Sequence, residues 1–138
     1  MSRPAAALGR QASRFIVVGA SAALTHWLVA VALMRWWPPL LANVAGFGCA
    51  FPVSFIGHWR WSFHEQGARW LDALPRFALI ALSAFAANEW LYALALRWDR
   101  WTPPVALVAV LLAVAGGTFA FSRAWAFRSR QGEAGHGH

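Results

Sequence analysis

Residues 15–34 form a run of about 20 positions with no charged side chain apart from whatever His26 carries. A helix of that length spans the roughly 30 Å hydrocarbon core of a bilayer, so the run reads as a first transmembrane helix. Three more apolar runs follow, at about 39–57, 76–96 and 104–121. Of the 138 residues, 59% are apolar and 12% charged, a balance foreign to a soluble domain of this length. The chain therefore reads as a single all-α membrane domain with four transmembrane helices.

All twelve basic residues are Arg, against five Asp and Glu. They are scattered between the apolar runs instead of clustering on a soluble helix, which excludes a nucleic-acid partner and makes them markers of membrane-segment ends. Eight of the ten Trp residues agree with this. Trp36, Trp37, Trp59, Trp61, Trp70, Trp98, Trp101 and Trp125 stand where apolar runs meet polar chain, as in an interfacial aromatic belt, and only Trp27 and Trp90 fall inside a run. The single Cys49 excludes an intrachain disulfide.

Residues 1–14, with Arg3, Arg10 and Arg14, read as a short basic tail before an uncleaved helix. Arg35-Trp36-Trp37-Pro38-Pro39 is a tight turn, because Pro suits the first turn of a helix. Ala42, Gly46 and Ala50 recur every four residues and give the second helix a small face for close approach to a neighbour, while Pro52 predicts a kink. Residues 59–75 are too polar to cross and read as a loop with a short interfacial helix at about 68–74. A second turn, ending in Pro103-Pro104, precedes a fourth helix with small residues at Ala109, Ala113 and Gly117. Residues 129–138 read as a disordered tail, in which His136 and His138 reflect composition and not a metal site.

The chain is one unit written twice. Ser54-Phe55-Ile56-Gly57-His58-Trp59-Arg60-Trp61-Ser62-Phe63 is echoed by Thr118-Phe119-Ala120-Phe121-Ser122-Arg123-Ala124-Trp125-Ala126-Phe127, with Phe55 and Phe119, Trp61 and Trp125, and Phe63 and Phe127 all 64 apart. Arg14-Phe15 and Arg76-Phe77 open the halves, which gives repeat 1 at about 14–63, a loop at about 59–75 and repeat 2 at about 76–128. Each half crosses twice, so the two run in the same sense and form a parallel repeat. Nine Arg residues (3, 10, 14, 60, 69, 76, 123, 128 and 130) share one side and three (35, 97 and 100) the other. This places both termini and the central loop in the cytoplasm.

Glu89 is the only carboxylate inside a predicted span. A charge there costs a few kcal/mol on insertion scales, so Glu89 either binds something in the bundle interior or is held neutral by Asn43, Asn88 or His26. His26 and Asn88 are 62 apart, and each half thus puts a polar residue at similar depth in its first helix. His26 is read either as part of a polar path or as a buried structural histidine. Arg14, Arg60, Arg76 and Arg123 end or open apolar runs beside aromatic residues, where a guanidinium can meet a phosphate bidentately. Topology alone also accounts for them. Neither a Ser, His and Asp set, nor a Gly-rich phosphate loop, nor a metal-ligand pattern is present, so the reading is of a protein that is not an enzyme and uses no cofactor.

With four spans, an Arg14-Phe15-Ile16-Val17-Val18-Gly19 start, Asn43 early in the second helix and twin endings with Trp-x-Phe, the chain resembles the GtrA family of small bacterial membrane proteins over about 14–128. The family ending is Asn-Phe-x-x-Asn-Arg-x-Trp-x-Phe. Here Ser54 and His58 stand at the Asn positions of the first copy and Arg60 is one residue past the Arg position, while the second copy has Thr118 and Ser122 and keeps Arg123. The resemblance implies a bacterial cytoplasmic-membrane flippase for undecaprenyl phosphate, or for sugars linked to it, in O-antigen or cell-wall glycosylation. On that reading Arg14, Arg60, Arg76 and Arg123 bind the lipid phosphate and His26, Asn43, Asn88 and Glu89 line the path. Four helices make a small path, which leads to the expectation of a homodimer. Two other readings stand beside it: a non-transporting scaffold that recruits a glycosyltransferase through the central loop, and a proton-coupled exporter of small cations acting through Glu89.

Overall fold

The computed structural model describes the backbone of residues 3–63 and 69–133, and the side chains of residues 9–10, 12–61 and 69–118. Four long helices fill it: α1 (Arg3–Leu33), α2 (Pro39–His58), α3 (Trp70–Arg97) and α4 (Pro103–Glu133). There is no strand among the described residues. α2 runs on into a π-helical turn, Trp59–Phe63. Short turns join α1 to α2 and α3 to α4, so the helices alternate in direction. One end of the bundle carries both tight turns (the turn end), and the other carries Arg14, Arg60 and Arg76 (the Arg-rich end).

Three described helices are long and apolar enough to cross a membrane: Ala12–Leu33, Pro39–Trp61 and Trp70–Arg97. The fourth, Pro103–Thr118, is the shorter apolar part of a helix that continues to Glu133. Their outer faces are apolar, with Phe15, Ile16, Leu24, Leu28, Leu79, Ile80, Leu82, Trp90 and Leu112 all at least half exposed. That surface is suited to lipid tails and not to water. The protein is an all-α, multi-pass membrane protein.

Several expected boundaries move. α1 begins at Arg3, not after a basic tail, because Pro4 suits a first helical turn and Ala5, Ala6 and Ala7 favour helix. α3 absorbs the expected interfacial helix and starts at Trp70, with Asp72 in its first turn and Pro75 still near its beginning. α4 extends to Glu133, so residues 129–133 are helical where a disordered tail was expected; residues 134–138, His136 and His138 among them, lie outside the described residues, as does the middle of the expected loop, 64–68. α2 continues through Pro52, whose side is exposed.

The repeat is visible in burial. His26 and Asn88, then Ala30 and Tyr92, are buried pairs 62 apart; Ala42 and Ala106, Asn43 and Leu107, and Gly46 and Val110 are buried pairs 64 apart. The two hairpins nevertheless differ in closeness. A Cβ added to Gly46 would stand 2.6 Å from the His26 carbonyl oxygen, and one added to Gly57 would stand 2.6 Å from Val18 Cγ1. α1 and α2 therefore touch through backbone, as small faces allow. In α4 the expected small face does not serve this purpose: Ala113 and Gly117 are exposed, and the helix packs through Ala106, Leu107 and Val110. The bulkier Leu107 and Val110 of α4 stand where α2 has Asn43 and Gly46.

Candidate functional site

Packing is uneven along the bundle. The core of Ala30, Tyr92, Ala106, Leu107 and Val110, flanked by Trp27, Met34, Leu91 and Leu96, lies in the half nearer the turn end. Two bonds fix it: Trp27 Nε1–H donates to the Pro104 carbonyl (3.0 Å) and the Tyr92 hydroxyl to the Pro103 carbonyl (3.1 Å). In the other half α1 and α2 stay close at Gly57 and Val18, and space opens between this pair and the other two helices. A cleft of about 320 Å³ runs between all four, bounded by Gly19, Ala22 and His26 of α1, Phe47, Phe51 and Ser54 of α2, Phe77, Phe85 and Asn88 of α3, and Leu111 and Ala115 of α4. It lies between the Arg-rich end and the level of His26 and Asn88.

At that level the four expected intramembrane polar residues come together. Asn43 is the hub. Its Oδ1 is 2.7 Å from His26 Nε2, and its Nδ2 donates to Asn88 Oδ1 (2.9 Å) and to Glu89 Oε2 (2.5 Å). An amide oxygen carries no proton, so the proton of the first bond belongs to His26 Nε2. Both amide hydrogens and the oxygen of Asn43 are thus engaged, and the residue is fully buried. His26 and Asn88 are buried beside it, while Glu89 is half-buried. One helix pair cannot make this cluster: α1 gives His26, α2 gives Asn43, and α3 gives Asn88 and Glu89. It ties repeat 1 to repeat 2 at mid-span, where a lost hydrogen bond has no water to replace it. Its members are unequal with respect to the cleft, which His26 and Asn88 line and Asn43 and Glu89 do not. The Asn88 Nδ2–H is buried without an acceptor.

Aromatic rings make the cleft wall. Phe47 stacks on Phe85 at 4.2 Å between centroids, Phe51 meets Phe77 at 5.6 Å, and Phe77 meets Phe55 at 5.4 Å. The chain of rings ends at His58, buried between Phe15 (4.6 Å) and Phe77 (6.0 Å). This contact gathers the two repeat openings, Arg14-Phe15 and Arg76-Phe77, around the end of α2. Arg14, Arg60 and Arg76 are exposed at this end, Arg60 on the π-helical turn. Arg123 belongs to α4, but its side chain lies outside the described residues.

Phe47, Phe51 and Phe85 are the parts of the wall that the sequence did not single out, and His58, Phe55 and Phe77 stood out there only through the repeat and the family ending. Their signal is present in hindsight: Phe47, Phe51 and Phe55 recur every four residues and so share one face of α2. The ring ladder, the apolar groove and the polar floor together form a cavity whose shape and lining suit an elongated apolar molecule with a polar head.

Comparison with known proteins matches the sequence to one family. No curated protein and no solved structure matches the chain. Residues 14–127, which hold all four helices' apolar parts, the polar cluster and the cleft, match the family model described as GtrA/DPMS, transmembrane domain. The chain belongs to the GtrA family.

Proposed function

We propose that this membrane protein, whose family is tied to glycosylation-related handling of sugar-lipids, is a translocase for undecaprenyl phosphate or its glycosylated form. The observation that carries the reading is the cleft: closed by packed side chains toward the turn end, and lined between the helices on the side of the Arg-rich end. A lipid phosphate first meets Arg14, Arg60, Arg76 and Arg123 as charge-assisted hydrogen-bond acceptor. The prenyl chain stays against the apolar outer faces and the Phe-lined wall. The head group then moves toward His26 and Asn88, a distance along α3 of about 18 Å from Arg76 at 1.5 Å per residue. Asn43 and Glu89 hold those two groups in place. No covalent bond is made or broken, so the work is binding and alternation between a state open at the Arg-rich end and one open at the turn end. The Arg excess orients the Arg-rich end to the cytoplasm of a bacterial inner membrane. The acting unit is a homodimer, a second copy covering the exposed Leu112, Ala113 and Gly116 face of α4.

The test is transport in proteoliposomes, with a fluorescent prenyl-phosphate sugar and an external quencher reading the fraction that changes leaflet. Wild type moves the lipid, while Glu89→Gln and Arg123→Ala insert normally and do not. Retained transport in both variants refutes the site. Replacing the central loop with a neutral linker leaves transport intact; if transport is absent in every case and a glycosyltransferase is lost from the membrane with the loop, the protein is a scaffold.

A further inference from the structure

The turn end carries a second recess that shares no lining residue with the cleft. It measures about 520 Å³ and is bounded by Leu91, Leu94, Ala95, Trp98, Arg100 and Trp101. The first four stand at i, i+3, i+4 and i+7 along α3 and its C-cap Trp98, and so form one stripe. The recess is a groove along the last two turns of that helix, closed by the residues that follow it. Asp99 has φ of 48°, the left-handed conformation that reverses the chain after a helix, and this reversal sets Arg100 and Trp101 beside the groove. The apolar length belongs to the span Trp70–Arg97 and the cation to the turn beyond it, where Trp98 and Trp101 match the aromatic belt of an interface.

Arg100 is exposed and makes no hydrogen bond, ion pair or ring contact among the described residues, the neighbouring Asp99 included. The arginine of the other turn differs, since the Arg35 guanidinium lies 5.5 Å over the Trp36 ring. An unengaged cation at the head of an apolar groove complements a molecule with an anionic head and a hydrocarbon chain. We propose that this groove binds an anionic glycerophospholipid of the surrounding bilayer. Its phosphate accepts hydrogen bonds from Arg100, and one acyl chain lies along Leu91, Leu94 and Ala95 between the Trp98 and Trp101 rings. The groove shares no lining residue with the cleft, and Trp98, Arg100 and Trp101 at its head are exposed, which assigns it to bilayer lipid and not to transported cargo. The site thus stands independently of the translocase reading.

Native mass spectrometry of the full chain tests this, after transfer from mild detergent to nanodiscs with equal phosphatidylglycerol and phosphatidylcholine. Wild type retains phosphatidylglycerol in preference. Arg100→Gln lowers that retention about fivefold, the effect of one interfacial cation on an anionic lipid, and Arg35→Gln leaves it unchanged. Leu94→Trp, which fills the groove and keeps Arg100, lowers it as well. Thermal unfolding of each variant at the wild-type temperature confirms that the fold is kept. Equal retention of the two lipids, or unchanged retention in Arg100→Gln or in Leu94→Trp, overturns the proposal. A retained adduct of polyprenyl mass that is lost in Arg100→Gln overturns it too, by giving the groove to the cargo.

Discussion

Replacing Asn43 by Ala removes the one side chain to which His26, Asn88 and Glu89 all bond. Hydrogen bonds between helices in a bilayer contribute about 0.6 kcal/mol each on average and about 1.7 at most. Three of them therefore amount to about 2 kcal/mol, with a ceiling near 5. The side chain is fully buried, and the void left by truncation adds about 1 kcal/mol. Asn43→Ala is accordingly expected to lower stability by about 3 kcal/mol. Unfolding in mixed micelles titrated with sodium dodecyl sulfate, followed by Trp fluorescence and circular dichroism, measures this directly. A double-mutant cycle with His26→Ala isolates the 2.7 Å contact, and the two losses should fail to add by about 0.6–1.7 kcal/mol. Additivity within about 0.3 kcal/mol, or a loss in Asn43→Ala below about 0.5 kcal/mol, would refute the view that the polar cluster joins the repeats energetically.

Two further outcomes follow from packing, read in the same unfolding assay. Gly46→Ala forces a methyl group against the His26 backbone carbonyl, an atom that cannot rotate away, and should cost about 1–3 kcal/mol. Gly48→Ala meets nothing within 4 Å and should be neutral or gain up to about 1 kcal/mol from helix propensity; equal effects at the two positions would contradict the close approach of α1 and α2. Tyr92→Phe removes only the hydroxyl that reaches the Pro103 carbonyl and should cost about 1 kcal/mol, and a loss above about 3 kcal/mol would mean that the ring's packing had been disturbed as well.

The helices and the repeat are legible in the sequence because the bilayer enforces them: a run near 20 apolar residues bounded by Arg and Trp has few alternatives. The polar floor is legible for the same reason. His26, Asn43, Asn88 and Glu89 are rare groups in apolar runs, and such groups seek one another. What the sequence conceals is which apolar residues face inward. In water, a helix displays its buried side by contrast with its polar side. In a bilayer both sides are apolar, so Phe47 and Phe85 in the cleft wall look like lipid-facing Ile16 and Leu79. The small residues of α4 show the same lack of contrast: Ala113 and Gly117 match the spacing of Ala42 and Gly46 yet lie on the exposed side of the single chain, while Leu107 and Val110 occupy the packed one. The extra length of α1 and α4 is concealed for another reason. Arg-rich chain beyond the membrane is helical here, and composition rich in charge and small residues does not distinguish a continued helix from a tail.

The backbone contact at Gly46 and Gly57 bears on how the molecule is made. During synthesis α1 and α2 leave the ribosome before α3 does. The contacts at Gly46 and Gly57 lie within the pair, so the first hairpin can close on them at once. α3 then arrives with the heaviest polar load of any span, an amide and a carboxyl side by side. It enters a membrane in which Asn43, already oriented by His26, offers both of its amide hydrogens. The early hairpin thus serves the later one as a template for insertion, and the order of the two repeats along the chain is part of how Glu89 reaches mid-membrane.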